Sequence, residues 1–188
     1  MSSIGSGLTV NERETISQVL RGNVGAFRLL VEKYQTSIIR FAANLLGDSH
    51  IGEDVAQDVF FAAYKKLASF DPARSNFSTW LFSIARNKCI NEMKKKKVVS
   101  ANELLGKITA NNLSDGIANQ ELFAELDKAL QTLPGRQKRA FIFAEFENLP
   151  YQEIAQIEGV RIGTVKSRIN RAKKKLRAAL EIFNVETI

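Results

Sequence analysis

Between Arg161 and Arg177 the chain carries eight cations, Arg161, Lys166, Arg168, Arg171, Lys173, Lys174, Lys175 and Arg177, and no acid. Side chains of this type hold phosphate, and the hydroxyls of Thr164 and Ser167 among them can meet a base edge. A second set lies upstream, where Asn87 and Asn91 stand four apart and Lys94 and Lys95 follow. Two amides and two cations on one helical face can bind a strand, the amides reading a base and the cations its backbone. Phe77 and Trp80, just before them, offer platforms for unpaired bases, although aromatics at helical spacing equally fill a core. A third set, Glu53, Asp54, Gln57 and Asp58, forms an acidic shelf at the start of a helix. Two readings of it stay open: complement to the helix dipole, or a patch that binds protein.

This is the chemistry of recognition, and the residues for catalysis are sparse. His50 is the single histidine, so it has no companion for a metal site or a triad. Cys89 is the single cysteine, which excludes an internal disulfide and a cysteine-based zinc site and reads as a small buried side chain. Glu53, Asp54 and Asp58 lack the loop carbonyls that oxygen-ligand cation sites recruit. There is no Gly-rich phosphate loop. The reading is therefore of a chain without cofactor, metal or small-molecule substrate.

Helices must position all three sets. Val165, Ile169, Ala172, Leu176, Leu180 and Phe183 recur at steps of three and four, one apolar stripe of an amphipathic helix. Thr164, Ser167, Arg168, Arg171 and Lys174 fall on the opposite face. Tyr151 to Ile157 reads as a shorter helix closed at Glu158-Gly159, because glycine supplies the left-handed backbone that ends a helix. Short helix, Gly turn and basic helix together make a helix-turn-helix candidate, whose second helix would enter a DNA major groove. Upstream, helices are expected at about Asn11–Leu20, Val24–Leu46 (closed by Gly47-Asp48), Ile51–Leu67 and Phe77–Met93. A loop, Ser69 to Asn76, precedes the last of these. Leu122, Leu126, Ala129, Leu130 and Leu133 give a further stripe. After Pro134-Gly135, Gln137 to Glu147 gives one more, rich in phenylalanine.

With 188 residues, 45% hydrophobic and carrying a net charge of +7, the chain is globular and suited to a polyanionic partner. No apolar run approaches a membrane span, and Met1 to Thr9 has no secretion signal, so the expected location is the cytoplasm. Met1 to Gly7 reads as disordered. Val98 to Asn119, rich in Ala, Asn, Ser and Gly, reads as a flexible linker with a short helical turn around Glu103 to Ile108. The fold expected is all-α, two small helical domains joined by that linker, the second carrying the helix-turn-helix.

Three stretches in this order resemble one family: Glu53-Asp54-Val55-Ala56-Gln57-Asp58-Val59-Phe60; Phe77-Ser78-Thr79-Trp80-Leu81-Phe82-Ser83-Ile84-Ala85-Arg86-Asn87; and Gly163-Thr164-Val165-Lys166-Ser167-Arg168 with Arg171-Ala172. The chain is similar to bacterial sigma factors of the extracytoplasmic-function type, the compact kind with only the second and fourth conserved domains. The resemblance covers Gly22 to Lys97 and Gln120 to Leu180. It implies a tail and short helix over 1–21, a region 2 domain over 22–97, a linker over 98–119 that threads toward the polymerase channels, and a region 4 domain over 120–183.

It also implies a role for each surface. The helix with Glu53, Asp54, Gln57 and Asp58 would dock on the clamp helices of the RNA polymerase largest subunit. The loop ending at Asn76 and the helix with Phe77, Trp80, Asn87, Lys88, Asn91 and Lys94 would melt and read the minus-ten element, capturing a flipped base. Arg161, Thr164, Lys166, Ser167, Arg168, Arg171 and Lys174 would read the minus-thirty-five element as duplex. The implied partners are core RNA polymerase, promoter DNA and an anti-sigma factor, often membrane-anchored. Two departures stand out: Arg161 occupies a position where Ser or Pro is common in the family, and Pro150 one where a capping Ser is frequent, ahead of the last two helices. The alternative from the residues alone is a free-standing helix-turn-helix regulator, which would usually be a symmetric dimer on a palindrome. A nucleic-acid-modifying enzyme has no constellation to support it.

Overall fold

The dipeptide Gly47-Asp48 turns the chain between its two most closely packed helices. Gly47 adopts the left-handed conformation (φ 69°) that closes α2 (Phe27–Leu46), and Asp48 caps α3 (Ser49–Lys66) by accepting from the Ile51 amide at 3.0 Å. The computed structural model describes residues 10–102 and 125–185, with side chains at 11–95 and 125–180. Every regular element among the described residues is helical, as the apolar periodicities require. The expected features at Met1 to Gly7, Glu103 to Ile108, Gln120 and Leu122 lie outside the described residues, as do the side chains of Lys96, Lys97 and Phe183.

The chain divides into two units, Met1–Gly106 and Lys107–Ile188. In the first, α1 (Val10–Leu20) and a 3-10 turn (Val24–Ala26) lead into α2; a second 3-10 turn (Leu67–Ser69) and a loop separate α3 from α4 (Phe77–Asn102). The expected long helix from Val24 is thus 3-10 in its first three residues. Its core stacks Leu30, Ile38, Phe41 and Leu45 of α2 against Val59 and Ala63 of α3 and Phe77, Leu81, Ala85 and Cys89 of α4, all at most 2% exposed. Ala62 of α3 and Ile84 of α4 are only half-buried. Between α2 and α3 the fit is set by a glycine: a Cβ built on Gly52 would lie 2.8 Å from the Ala43 amide nitrogen. The α1 helix docks through Ile16 and Val19 and a buried Glu12, which accepts from the Tyr34 hydroxyl and, at 2.7 Å, from Lys33 Nζ.

Helix α4 continues to Asn102, beyond the expected stop at Met93 and the domain boundary expected at Lys97. No Gly or Pro interrupts Lys94 to Leu105, so nothing in the backbone ends the helix where the composition changes.

In the second unit, helical residues 125–131 (α5) are followed by α6 (Gly135–Phe141), a π turn (Ile142–Phe146), α7 (Tyr151–Glu158) and α8 (Ile162–Val185). Pro134 stands at the start of α6, so Gly135 belongs to the helix and not to the break. Ala129, Leu130, Leu133, Phe141, Ala172 and Leu176 form one apolar cluster, with Leu126, Phe146 and Ala179 at its edge.

This unit also buries a lysine. Lys138 is 3% exposed, donates to Gln131 Oε1 at 2.6 Å, and has its pKa lowered from 10.5 to about 8 by burial, against a smaller opposing pull from Asp127. The unfolded chain holds this proton up to 10.5 while the folded chain releases it near 8, so this group makes stability rise with pH across that window. Below the window both states are charged and the cost of burying the charge stands in full. Lys138→Met is therefore expected to stabilise the second unit at neutral pH by on the order of 1–2 kcal/mol, the lost Gln131 bond offsetting part of the gain. Thermal unfolding at about pH 7 and about pH 10 checks it. Parallel shifts in variant and wild type would remove Lys138 as the source.

Candidate nucleic-acid interface

Helix α8 is split lengthwise between core and solvent. Val165, Ile169, Ala172 and Leu176 are at most 5% exposed, while Arg161, Lys166, Arg171 and Lys174 are exposed and Thr164 half-buried. Ser167 is half-buried too, and its hydroxyl donates to the Thr164 carbonyl at 2.9 Å, leaving its lone pairs outward. The turn before it is closed by Gly159 (φ 66°), with Val160 N–H bonded to the Ala155 carbonyl at 3.0 Å. The helix starts without a capping hydroxyl at Arg161. The Arg161 carbonyl accepts from Thr164 N–H at 2.9 Å, and the Arg161 side chain is exposed. Asn170, absent from the expected site, is exposed on the same outer face, where it borders a shallow cleft with Lys174 and Arg177. Its step of three from Ser167 and four to Lys174 was the available signal.

Arg168 is the exception on this face. Its Nη1 donates to Glu158 Oε2 at 3.0 Å, and Arg139 grips the same carboxylate from α6 with Nε to Oε1 at 2.8 Å and Nη2 to Oε2 at 3.1 Å. The side chains are 13% (Arg168), 9% (Arg139) and 1% (Glu158) exposed. The expectation that Arg168 touches DNA is therefore corrected: the last residue of α7 carries a carboxylate into the helix crossing and draws this guanidinium inward. Neither Arg139 nor Glu158 was singled out from sequence.

In the first unit, Asn87, Asn91 and Lys94 are exposed along α4, with Trp80 and Asn76 half-buried at its start. Asn87 Oδ1 accepts from Arg86 Nη1 at 2.8 Å, which turns its NH₂ group outward. Phe77 corrects a second expectation. At 1% exposed, its ring lies 5.5 Å from Phe70, 5.6 Å from Trp80 and 5.7 Å from Tyr34, so it braces the aromatic wall from inside. The loop ahead is stiffened by Asp71, whose side chain accepts from the Ala73 amide at 2.9 Å.

Glu53, Asp54, Gln57 and Asp58 are exposed along α3. Because that helix begins at Ser49, they follow its first turn, and the dipole reading passes to the cap Asp48. One turn beyond Asp58 the face ends in Phe61, 61% exposed, with Lys65 Nζ 4.2 Å over its ring. Asp58 also pairs with Lys88 of α4 at 3.0 Å, the Asp58 side chain 65% and the Lys88 side chain 36% exposed, so a tie worth under about 1 kcal/mol joins two of the expected surfaces.

Residues 30–98 match the Sigma-70 region 2 family and residues 123–176 match Sigma-70, region 4. Over 180 residues the chain is 32% identical to the ECF RNA polymerase sigma factor SigW of Bacillus subtilis, covering 89% of this chain and 96% of that one. The chain is an extracytoplasmic-function sigma factor. A similar relative is the RNA polymerase sigma-H factor of Pseudomonas aeruginosa, 32% identical over 182 residues, 90% of this chain and 94% of that one. Among solved structures, CnrH in complex with the cytosolic domain of CnrY is 25% identical with a TM-score of 0.70, covering 92% of this chain and 98% of that one. The sigma factor RpoE with the anti-sigma factor NepR from Bartonella quintana is 28% identical with the same TM-score, 0.70, covering 83% and 97%.

Sigma factors are DNA-recognition subunits, and this one is a promoter-specificity subunit of RNA polymerase. No helix among its described residues is long and apolar enough to cross a membrane. The acidic face of α3 and the amide face of α4 belong to its region 2, the basic face of α8 to its region 4; α1 precedes both matches.

Proposed function

We propose that the sigma factor divides the promoter between its units, with region 2 over 22–97 and region 4 over 120–183. Region 4 takes the minus-thirty-five duplex through Arg161, Thr164, Lys166, Ser167, Arg171 and Lys174. Region 2 opens and reads the minus-ten element with Asn87, Asn91 and Lys94, beside Asn76 and Trp80, and holds core polymerase through Glu53, Asp54, Gln57 and Asp58. The observation that carries this reading is that the amide, acidic and basic sets all emerge on exposed helix faces whose opposite sides are core. The subunit catalyses nothing itself and acts in the cytoplasm, where the polymerase is. An anti-sigma factor completes the partner set; support comes from the solved relatives, CnrH with the cytosolic domain of CnrY and RpoE with the anti-sigma factor NepR.

Transcription by the reconstituted holoenzyme tests the reading. Asn87→Ala is expected to reduce discrimination between a matched and a minus-ten-mutated promoter about tenfold, the effect of one good amide-to-base pair, with affinity for core polymerase unchanged. Undiminished discrimination in the variant would remove Asn87 from base recognition.

A further inference from the structure

Ile162 is the one large aliphatic side chain left exposed among the described residues of the second unit, at 43%. It opens α8 and forms a row at steps of four with Lys166 and Asn170, both exposed. That row runs beside Ser167, Arg171 and Lys174, so Ile162 belongs to the basic face and not to the core stripe. It also lines an open cleft of about 740 Å³ between α7 and the start of α8. Ala155 and Val160, both half-buried, give this cleft an apolar floor; Gln152, Gln156 and Arg161 stand around it, and no carboxylate lines it. Arg161 precedes Ile162 and Lys166 lies one turn on, so cations flank the apolar spot, and no acid occurs from Arg161 to Arg177.

Two features identify the occupant. An exposed apolar side chain can mark a protein contact, but the cores of protein interfaces are depleted in charge, whereas cations suited to phosphate surround this one. In a DNA major groove the apolar group on offer is the C5-methyl of thymine, and small apolar side chains meet it directly. Isoleucine suits that contact, because a β-branched side chain is already stiff in a helix and loses little freedom. The space beside it is open as well: a Cβ built on Gly163 would meet nothing within 4 Å. Resting on the proposed minus-thirty-five surface of α8, we infer that Ile162 is a specificity-determining residue that seats the methyl group of a thymine at the mouth of this cleft. Arg161 and Lys166 hold the phosphates on either side. This position of the element is read by apolar contact and not by a hydrogen bond; cytosine there would turn its N4 amine toward the apolar spot.

The test uses the holoenzyme and a fluorescent duplex spanning the minus-thirty-five element of a promoter that it transcribes. Each thymine of either strand is replaced in turn by deoxyuridine, which removes the C5-methyl and leaves every hydrogen-bonding group in place. One replacement is expected to cost about fourfold in affinity, the worth of one buried methyl-sized group. Ile162→Ala is expected to lose at least that factor on the thymine duplex and to bind thymine and deoxyuridine equally at that position. Its salt slope should match that of the wild type, since no phosphate contact is removed. Ile162 is on the surface, so the variant keeps its fold.

If a scrambled element binds more weakly but no deoxyuridine duplex does, the methyl assignment fails alone. If a scrambled element binds as well as the matched one, the reading of the minus-thirty-five duplex by α8 fails and the assignment with it. A deoxyuridine penalty that persists undiminished in Ile162→Ala would put another side chain on the methyl and overturn the proposal. A shallower salt slope in the variant would show it acting through Arg161, and lost affinity for core polymerase without DNA would make Ile162 a protein contact; either result overturns it as well.

Discussion

Glu158→Ala is expected to lower the melting point of the second unit by about 12 °C or more. The carboxylate is 1% exposed and is the shared anion of Arg139 and Arg168, which are 9% and 13% exposed. Its removal leaves two guanidinium groups buried with no counter-charge, and breaking a buried pair from one side costs about 3–5 kcal/mol. In a unit of this size each kcal/mol moves the midpoint by about 4–8 °C. Thermal unfolding of the full chain measures this, and promoter binding through the minus-thirty-five element should disappear at the same temperature. The triple replacement Arg139→Met/Glu158→Leu/Arg168→Met should regain most of the stability, since the desolvation cost leaves together with the attraction. It should not regain recognition. The three charges fix α7 against α8, so discrimination between a matched and a scrambled minus-thirty-five duplex should fall. The salt slope should stay where it was, because Arg168 neutralises Glu158 and no phosphate; a slope shallower by about one would return Arg168 to the DNA.

That triad marks where the sequence stops being legible. The apolar stripe of α8 could be read residue by residue, because a helix repeats every 3.6 positions and Val165, Ile169, Ala172 and Leu176 all proved buried. Periodicity says which face of a helix turns inward; it does not say which exposed-looking charge meets which. Arg168 sits on the outer edge of the wheel beside Arg171, and only a carboxylate arriving from α7 and a second arginine from α6 separate their roles. Phe77 was misplaced for a related reason. It follows a loop and precedes an amide face, both consistent with a stacking surface, yet three aromatic neighbours from α2, the loop and α4 itself enclose it. Phe61 went unnoticed in the opposite direction, an aromatic among core positions that the structure leaves in solvent. The same limit governs the extent of α4. Composition suggested a linker from Val98, but composition reports the lack of a core to bury, whereas helix continuity needs only the absence of a breaker.

The two surfaces of region 2 face a common demand: each must be presented at a fixed angle by a helix whose other side is packed. For the acidic face of α3 that angle depends on its closest approach to α2, at Gly52. Gly52→Ala is expected to destabilise the first unit by about 3 kcal/mol, the upper end for an overpacked core. The added Cβ would stand 2.8 Å from the amide nitrogen of Ala43 and 2.9 Å from its Cα and Cβ. Two of those three atoms are backbone, so no side chain can rotate away, and Ala43→Gly would relieve only one contact. The helices must separate, which tilts Glu53, Asp54, Gln57 and Asp58 together; affinity for core polymerase should fall along with the melting point of the first unit. Gly163→Ala supplies the internal comparison. Gly163 is also helical, but a Cβ there meets nothing within 4 Å. The gain in helix propensity is then unopposed, and the second unit should become more stable by about 0.5–1 kcal/mol. Identical substitutions with opposite signs would tie the first effect to the α2–α3 contact; a stabilised Gly52→Ala protein would show that α3 can shift on α2 at no cost.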